Sequence, residues 1–191
     1  MEAKKDLKDI AEVIAGYSFR TALRGKEDAS MLVLQAKNIL DNSVVDEENL
    51  DSIDFENYRS KAIVKKGDVV VSSRGSFRAG SVSLESKNII AASSVYILRI
   101  KNESIRPEYL AIYLNSIEGQ KQLIKSATGA AIKAIQKNDL ENISIAMLSV
   151  EKQEKIIRLY HTSKKLQKAL IQKTNLVNNI NEVVINKLLN N

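Results

Sequence analysis

The 191-residue chain has no cysteine and no tryptophan, one histidine and one proline. Without cysteine, neither a disulfide framework nor a thiolate metal site can form, which fits a reducing compartment. His161 stands alone beside Tyr160 on a charged stretch and lacks the partners a metal site requires. No metal or other cofactor is expected. Aromatic residues make up only 5% of the chain, which disfavours a protein that stacks single-stranded bases along a groove. With Pro107 as its only proline, the chain cannot contain the Asn/Asp-Pro-Pro-aromatic tetrapeptide with which amino-methyltransferases usually hold a flipped base. No stretch approaches the ~20 apolar residues needed to span a bilayer. The opening "MEAKKDLKDIAEVIAG" also lacks the uninterrupted apolar core of a signal peptide, so a cytoplasmic protein without membrane contact is expected.

What is present is unevenly distributed charge. The chain carries a formal net charge of +6 and is 44% hydrophobic, enough to build a core. Residues 46 to 56, "DEENLDSIDFE", hold six acids and no base, whereas residues 57 to 101 hold nine bases against two acids. A basic zone of this kind is the footprint expected of a protein that neutralises nucleic-acid phosphates, although charge alone also describes a solvated face.

At the centre of the basic zone lies "GDVVVSSRGSFRAGSV", residues 67 to 82. Val69, Val70 and Val71 predict a strand, because β-branched residues pack well on a pleated surface. Gly75 and Gly80 have the G-x-x-x-x-G spacing of a phosphate-cradling loop. The Lys and Ser/Thr that such a loop needs next are replaced by Ser81 and Val82, and no helical pattern follows. A nucleotide site is therefore not expected. Glycines 75, 80 and 129 are expected to permit positive φ or close backbone approach.

Around this loop, residues 3 to 15 read as a short amphipathic helix with Leu7, Ile10, Ala11 and Ile14 on one side. Residues 17 to 40 suggest a hairpin or irregular strand pair, and "IIAASSVYILRI" one or two buried strands. Pro107 opens a helix, with Ser104 and Glu108 suited to its start. A second helix, "EGQKQLIKSAT", stops at Gly129, and "LENISIAML" returns as a strand. Strands and helices without a regular alternation predict an α+β domain ending near residue 150.

From residue 150 to 190 there is no glycine or proline. A series at alternating steps of three and four (Ile156, Leu159, Ser163, Leu166, Leu170, Lys173, Val177, Ile180, Val184, Lys187, Asn191) is apolar at seven of eleven positions. Ile157, Ile171 and Ile185 widen the stripe. A helix of this length extends about 60 Å, more than one domain of this size covers by itself.

Five pieces, "IAEVIAGYSFR", "VKKGDVVVSSRGSFRAG", "RPEYLAIYLNSIEGQ", "TGAAIKAIQKNDLENISIAML" and "VEKQEKI", occur in the order found in the specificity (S) subunit of type I restriction-modification systems. The chain resembles that family over nearly its whole length. The resemblance implies an α+β target recognition domain over residues 1–149, followed by a long helix over residues 150–191 that forms an antiparallel coiled coil through Ile156, Leu159, Leu166, Leu170, Val177, Ile180 and Val184. It implies a non-catalytic subunit that reads one half of a bipartite duplex DNA target. Its partners would be double-stranded DNA, a methyltransferase (modification) subunit, a restriction subunit and a second copy of itself. Arg74, Ser76 and Arg78 are the first candidates for DNA contact, supported by Gly75 and Gly129, with Arg20, Arg24, Lys87, Thr128 and Lys133 as second choices.

The chain departs from the family pattern in two ways. Ala146 and Leu148 stand where the family usually has prolines before the helix, and one recognition domain and one long helix stand where relatives have two of each. Two other readings stay open: a helical dimerisation or scaffold protein without DNA specificity, and an enzyme acting on DNA. A magnesium nuclease would need clustered carboxylates, and the acidic run at 46 to 56 is the only dense cluster.

Overall fold

The computed structural model describes residues 3–19, 30–40, 43, 45–46, 48–54, 60–83, 88–129 and 131–190. Residues 1–154 and 155–191 form two separate compact units.

The first unit mixes strands and short helices, as an α+β domain should. A four-stranded antiparallel sheet is built from β2 (Ala11–Ala15), β8 (Val95–Ile100), β5 (Val69–Ser72) and β6 (Ala79–Ser81), in that spatial order. A three-stranded sheet places β3 (Met31–Leu34) between β4 (Asp51–Ile53), antiparallel to it, and β7 (Ile89–Ala91), parallel to it. Apolar residues of both sheets share one core that includes Ile14, Leu34, Val70, Ile89, Val95 and Ile97. All four residues of β5 are buried, as the Val69–Val71 run predicts.

Residues 3 to 15 are not one helix. Lys4–Asp6 form β1, which pairs with β9 (Ser144–Ala146); only Leu7–Ile10 turn as α1; Ala11–Ala15 form β2. The apolar residues that suggested a helical stripe are buried, but Val13 and Ile14 face Leu98 and Ile97 across a strand ladder. Local periodicity is a weak preference, and a cross-strand partner supplied from eighty residues away overrides it. For the same reason "IIAASSVYILRI" divides into β7 and β8, which belong to different sheets. Among the described residues of the stretch 17 to 40 the strand is β3, whose partners β4 and β7 both lie outside that stretch.

Pro107 opens α2 (Pro107–Asn115), which buries Tyr109, Leu110, Ala111 and Leu114. The residue that precedes it, Arg106, has no side-chain cap of its own, and Ser104 turns instead to Asn102. The side chain of Asn115 lies along β6: its Oδ1 accepts the N–H of Ala79 at 2.9 Å, while its Nδ2 donates to Ala79 O at 2.7 Å and to Ser43 Oγ at 2.8 Å. Next comes α3 (Ile117–Ser126), capped by Ser116, whose Oγ accepts the Gly119 N–H at 3.2 Å. It ends three residues before Gly129. A short α4 (Lys137–Glu141) precedes β9; the sequence reading did not foresee it.

The long helix α5 runs from Val150 to Leu189 without interruption. Its first turn belongs to the first unit, where Gln153 is fully buried. Gln153 Oε1 accepts the Arg106 N–H at 2.8 Å, and its Nε2 donates to Ser104 O at 2.8 Å and Leu148 O at 2.9 Å. Arg106 also pairs with Glu154 at 3.2 Å. In the second unit Leu159, Leu166, Leu170, Val177, Ile180 and Val184 are all exposed, from 47% to 69%, while Ile156 is half-buried. No helix among the described residues is long and apolar enough to cross a membrane.

Candidate nucleic-acid interface

Strand order divides the basic zone. Because β5 and β8 run antiparallel, with Val69 opposite Leu98 and Ser72 opposite Val95, Lys65, Lys66, Arg99 and Lys101 lie toward one end of the sheet and Arg74 and Arg78 toward the other. Nor is Arg99 available to a ligand. Its Nε and terminal nitrogen donate to Asp68 Oδ1 and Oδ2 at 3.0 and 2.9 Å, and the same nitrogen donates to Ile63 O at 2.8 Å. Hydrogen bonding to the Asp68 carboxylate pushes the Arg99 guanidinium above its ordinary range, outweighing its partial burial. Among the described residues, these bases of the 57 to 101 zone therefore fall into two groups at opposite ends of a sheet, one containing a structural ion pair.

The Arg74 end is the built one. Residues 73 to 78 join β5 to β6 as a loop that Ser72 closes. The Ser72 N–H donates to Arg78 O at 2.9 Å, its Oγ accepts the Arg78 N–H at 2.9 Å, and the same hydroxyl donates to Ser76 O. Gly75 has φ +74°, a conformation only glycine adopts without strain. Phe77 is buried beneath the loop, and Gln120 of α3 donates to its carbonyl at 2.7 Å.

Two further segments are stapled to this loop. Gly75 N–H donates to Lys133 O at 2.8 Å, and Ile135 N–H donates to Ser73 O at 3.0 Å. Thr128 and Ala134 exchange two backbone bonds, at 2.9 and 2.8 Å, closing a tight turn. Gly129 in that turn has φ +110°, and a Cβ there would stand 2.4 Å from Ile132 O. On the other side, Ser73 donates its N–H to Ser94 O at 2.8 Å and its Oγ to Ser93 O at 3.2 Å. The Tyr96 hydroxyl donates to Ile135 O at 3.2 Å; burial raises its pKa, and the positive charge of Arg74 opposes that rise.

The structure thus brings together Arg74, Gly75, Ser76, Thr128, Gly129 and Lys133, all exposed, from segments more than fifty residues apart. Arg78 is on the same loop and half-buried. Arg20, Arg24 and Lys87 lie outside the described residues. Gly80 does not take a left-handed turn; it is a buried residue of β6 opposite Val70, because β6 continues through it. Among the described residues Gly80 leads through Ser81 of β6 and not into a helix, so a nucleotide loop's helix N-terminus is not seen there. The sequence reading missed Phe77, Gln120 and the serines 72, 73 and 94, which hold the loops, and Ile132, which is 66% exposed in the turn. A Ser-Ser pair on each of two strand ends was the one available signal.

Chemically, the face offers two long cations, a hydroxyl and backbone amides on a rigid support. That set suits phosphate oxygens and base edges. Among the described residues, no group of three or more His, Asp or Glu could hold a metal ion.

In class, the first unit is a mixed helix-and-sheet domain, and a long helix continues from its last element. The family model for the type I restriction modification DNA specificity domain matches residues 2–182, and the chain belongs to that family. It is 28% identical over 139 residues to the type I restriction enzyme EcoBI specificity subunit of Escherichia coli, covering 71% of this chain and 29% of that one. The S subunit of the M. genitalium type I system superposes with a TM-score of 0.57 at 14% identity, over 89% of this chain and 41% of that one. The HsdS subunit of Thermoanaerobacter tengcongensis gives 0.57 at 17% identity, over 89% and 39%. The chain spans less than half the length of each of these relatives.

Proposed function

We propose that the chain is a non-catalytic specificity subunit whose residues 1–149 act as a target recognition domain, reading one half of a bipartite duplex DNA target. The observation that carries this reading is the bond from Gly75 N–H to Lys133 O, which sets Arg74 and Lys133 side by side on one exposed face. An arginine so placed can donate bidentately to guanine, and the lysine can neutralise a phosphate. Membership of the specificity family supports a methyltransferase subunit, and a restriction subunit beside it, as partners.

The test is selection of binding sites from a randomised duplex pool by the parent, Arg74→Ala and Lys133→Ala. Arg74→Ala should relax preference at one position by about 1–3 kcal/mol, and Lys133→Ala should weaken binding equally across sequences. A parent that recovers no preferred site sinks the reading.

One recognition domain reads one half-site, so two copies supply both halves. The exposed stripe of α5 is the surface for this pairing, antiparallel by analogy with the paired helices of longer relatives. The charge distribution favours the same orientation. All but one of the helix's lysines and arginines lie before residue 174, so antiparallel packing keeps the two basic halves apart. Sedimentation should give a dimer for the parent and a monomer for the Leu166→Glu, Leu170→Glu variant. A parent that stays monomeric at micromolar concentration, alone and with its methyltransferase subunit, would instead point to a second chain that supplies the other half.

A further inference from the structure

The second unit carries a polar face as distinctive as its apolar one. Between Lys155 and Asn181 there are six lysines and arginines and no acid. Arg158, Lys165 and Lys168 share one side of α5, at steps of seven and three, beside the stripe of Leu159, Leu166 and Leu170 and distinct from it. All three are exposed, and among the described residues none has an ion-pair partner. Beyond Lys168 the same side carries the amides Gln172, Asn175 and Asn179 together with Leu176 and Val183, so the cationic stretch ends there.

We propose that this face of the helix lies against the sugar-phosphate backbone of the duplex whose bases the recognition domain reads. The proposal rests on the DNA reading above and extends the contact beyond the bases. Duplex DNA presents one negative charge per ~1.7 Å of axis, and Arg158 to Lys168 spans about 15 Å of helix. The three cations can therefore meet successive phosphates without any register with the sequence. An acidic protein surface fits less well. Stable protein interfaces centre on apolar or aromatic anchors and are depleted in lysine, and between Arg158 and Lys168 this side of the helix holds no apolar residue. The contact supplies affinity and salt dependence and leaves base choice to the loops.

The experiment uses the full chain and a duplex that the parent has recovered from a randomised pool. Binding is measured across a salt series for the parent, for Arg158→Gln, Lys165→Gln, Lys168→Gln together, and for the charge-preserving Arg158→Lys, Lys165→Arg, Lys168→Arg. The glutamine variant should lose about 2.7 from the slope of log affinity against log salt per copy, with helix content and base preference unchanged. The charge-preserving variant should keep the slope. Methylphosphonates placed outside the selected bases should weaken the parent more than the glutamine variant. A glutamine variant with the parent's slope and preference overturns this inference and leaves the DNA reading standing. An unchanged slope with lost binding to the methyltransferase subunit assigns the face to a protein and also overturns it. A parent with no affinity for any duplex overturns both.

Discussion

Gln153 Oε1 accepts the backbone N–H of Arg106 at 2.8 Å, so a buried amide in the first turn of α5 caps the residue that precedes the Pro107 helix. The same side chain satisfies two carbonyls, those of Ser104 and Leu148. The junction carries Ala146 and Leu148 and no proline, and the three hydrogen bonds of one glutamine hold it.

Replacing Gln153 with leucine strands three backbone groups, two of them carbonyls and one an amide, at about 1–3 kcal/mol for each that stays buried. The expected result is a large drop in urea stability, with the Arg106 amide losing hydrogen-exchange protection before the amides of β5. Protection at Arg106 equal to the parent's would show that the glutamine does not hold the junction.

Arg99 and Asp68 form the second polar staple, and Asp68 is 2% exposed. Removing one partner of such a pair leaves an uncompensated buried charge, which costs about 3–5 kcal/mol. With a quarter of the Arg99 side chain still reaching water, Arg99→Leu should fall at the lower end, about 3 kcal/mol by chemical denaturation. DNA affinity, scaled to the folded fraction, should be unchanged, because the pair lies toward the sheet end away from Arg74.

Gly75 and Gly129 separate backbone strain from crowding. A Cβ at Gly75 meets nothing within 4 Å, so Gly75→Ala carries only the left-handed penalty of about 1–2 kcal/mol. At Gly129 the Cβ also collides with Ile132 O. Gly129→Ala should therefore cost more stability than Gly75→Ala and weaken DNA binding more, since it distorts the turn that carries Lys133. Equal effects of the two substitutions in a melt and in a binding titration would remove crowding as the cause.

The Tyr96 phenol offers a spectroscopic ruler for Arg74. The neutral form is favoured in the folded chain, and the Arg74 cation favours the phenolate. Arg74→Gln should push the Tyr96 pKa higher still, read from the ring carbon-13 shift in an alkaline titration. The sign for stability follows: a raised folded pKa contributes below about pH 10 and is lost as pH rises through the folded value. A Tyr96 titration unmoved by the substitution would place the guanidinium elsewhere.

The elements legible in the sequence were those whose cause is local. The valine run of β5, the proline start of α2 and the unbroken helix from Val150 need no distant partner to be recognised. The loop residues Arg74, Gly75 and Ser76 were legible as a glycine-rich connection after a strand. What was not legible depends on pairing: Val13 and Ile14 became a strand because β8 was there to receive them. The staple between residues 75 and 133 left no trace in composition, because both ends of it are backbone atoms. The basic zone misled for a related reason. Counting charges along a chain assumes that neighbours in sequence share a surface, and an antiparallel sheet sends them to opposite ends.

The side chain of Asn115 has a consequence for self-association. β6 is an edge strand of the four-stranded sheet, and its outward amides would ordinarily template another chain. Asn115 occupies both hydrogen-bonding groups of Ala79, and Ser43 O takes the N–H of Ser81 at 3.0 Å, so three of the groups that a foreign strand would need are already taken. The domain thereby resists growing into a continuous cross-molecular sheet at this edge. An Asn115→Ala substitution would bare the N–H and C=O of Ala79 and open that part of the edge to pairing with another strand.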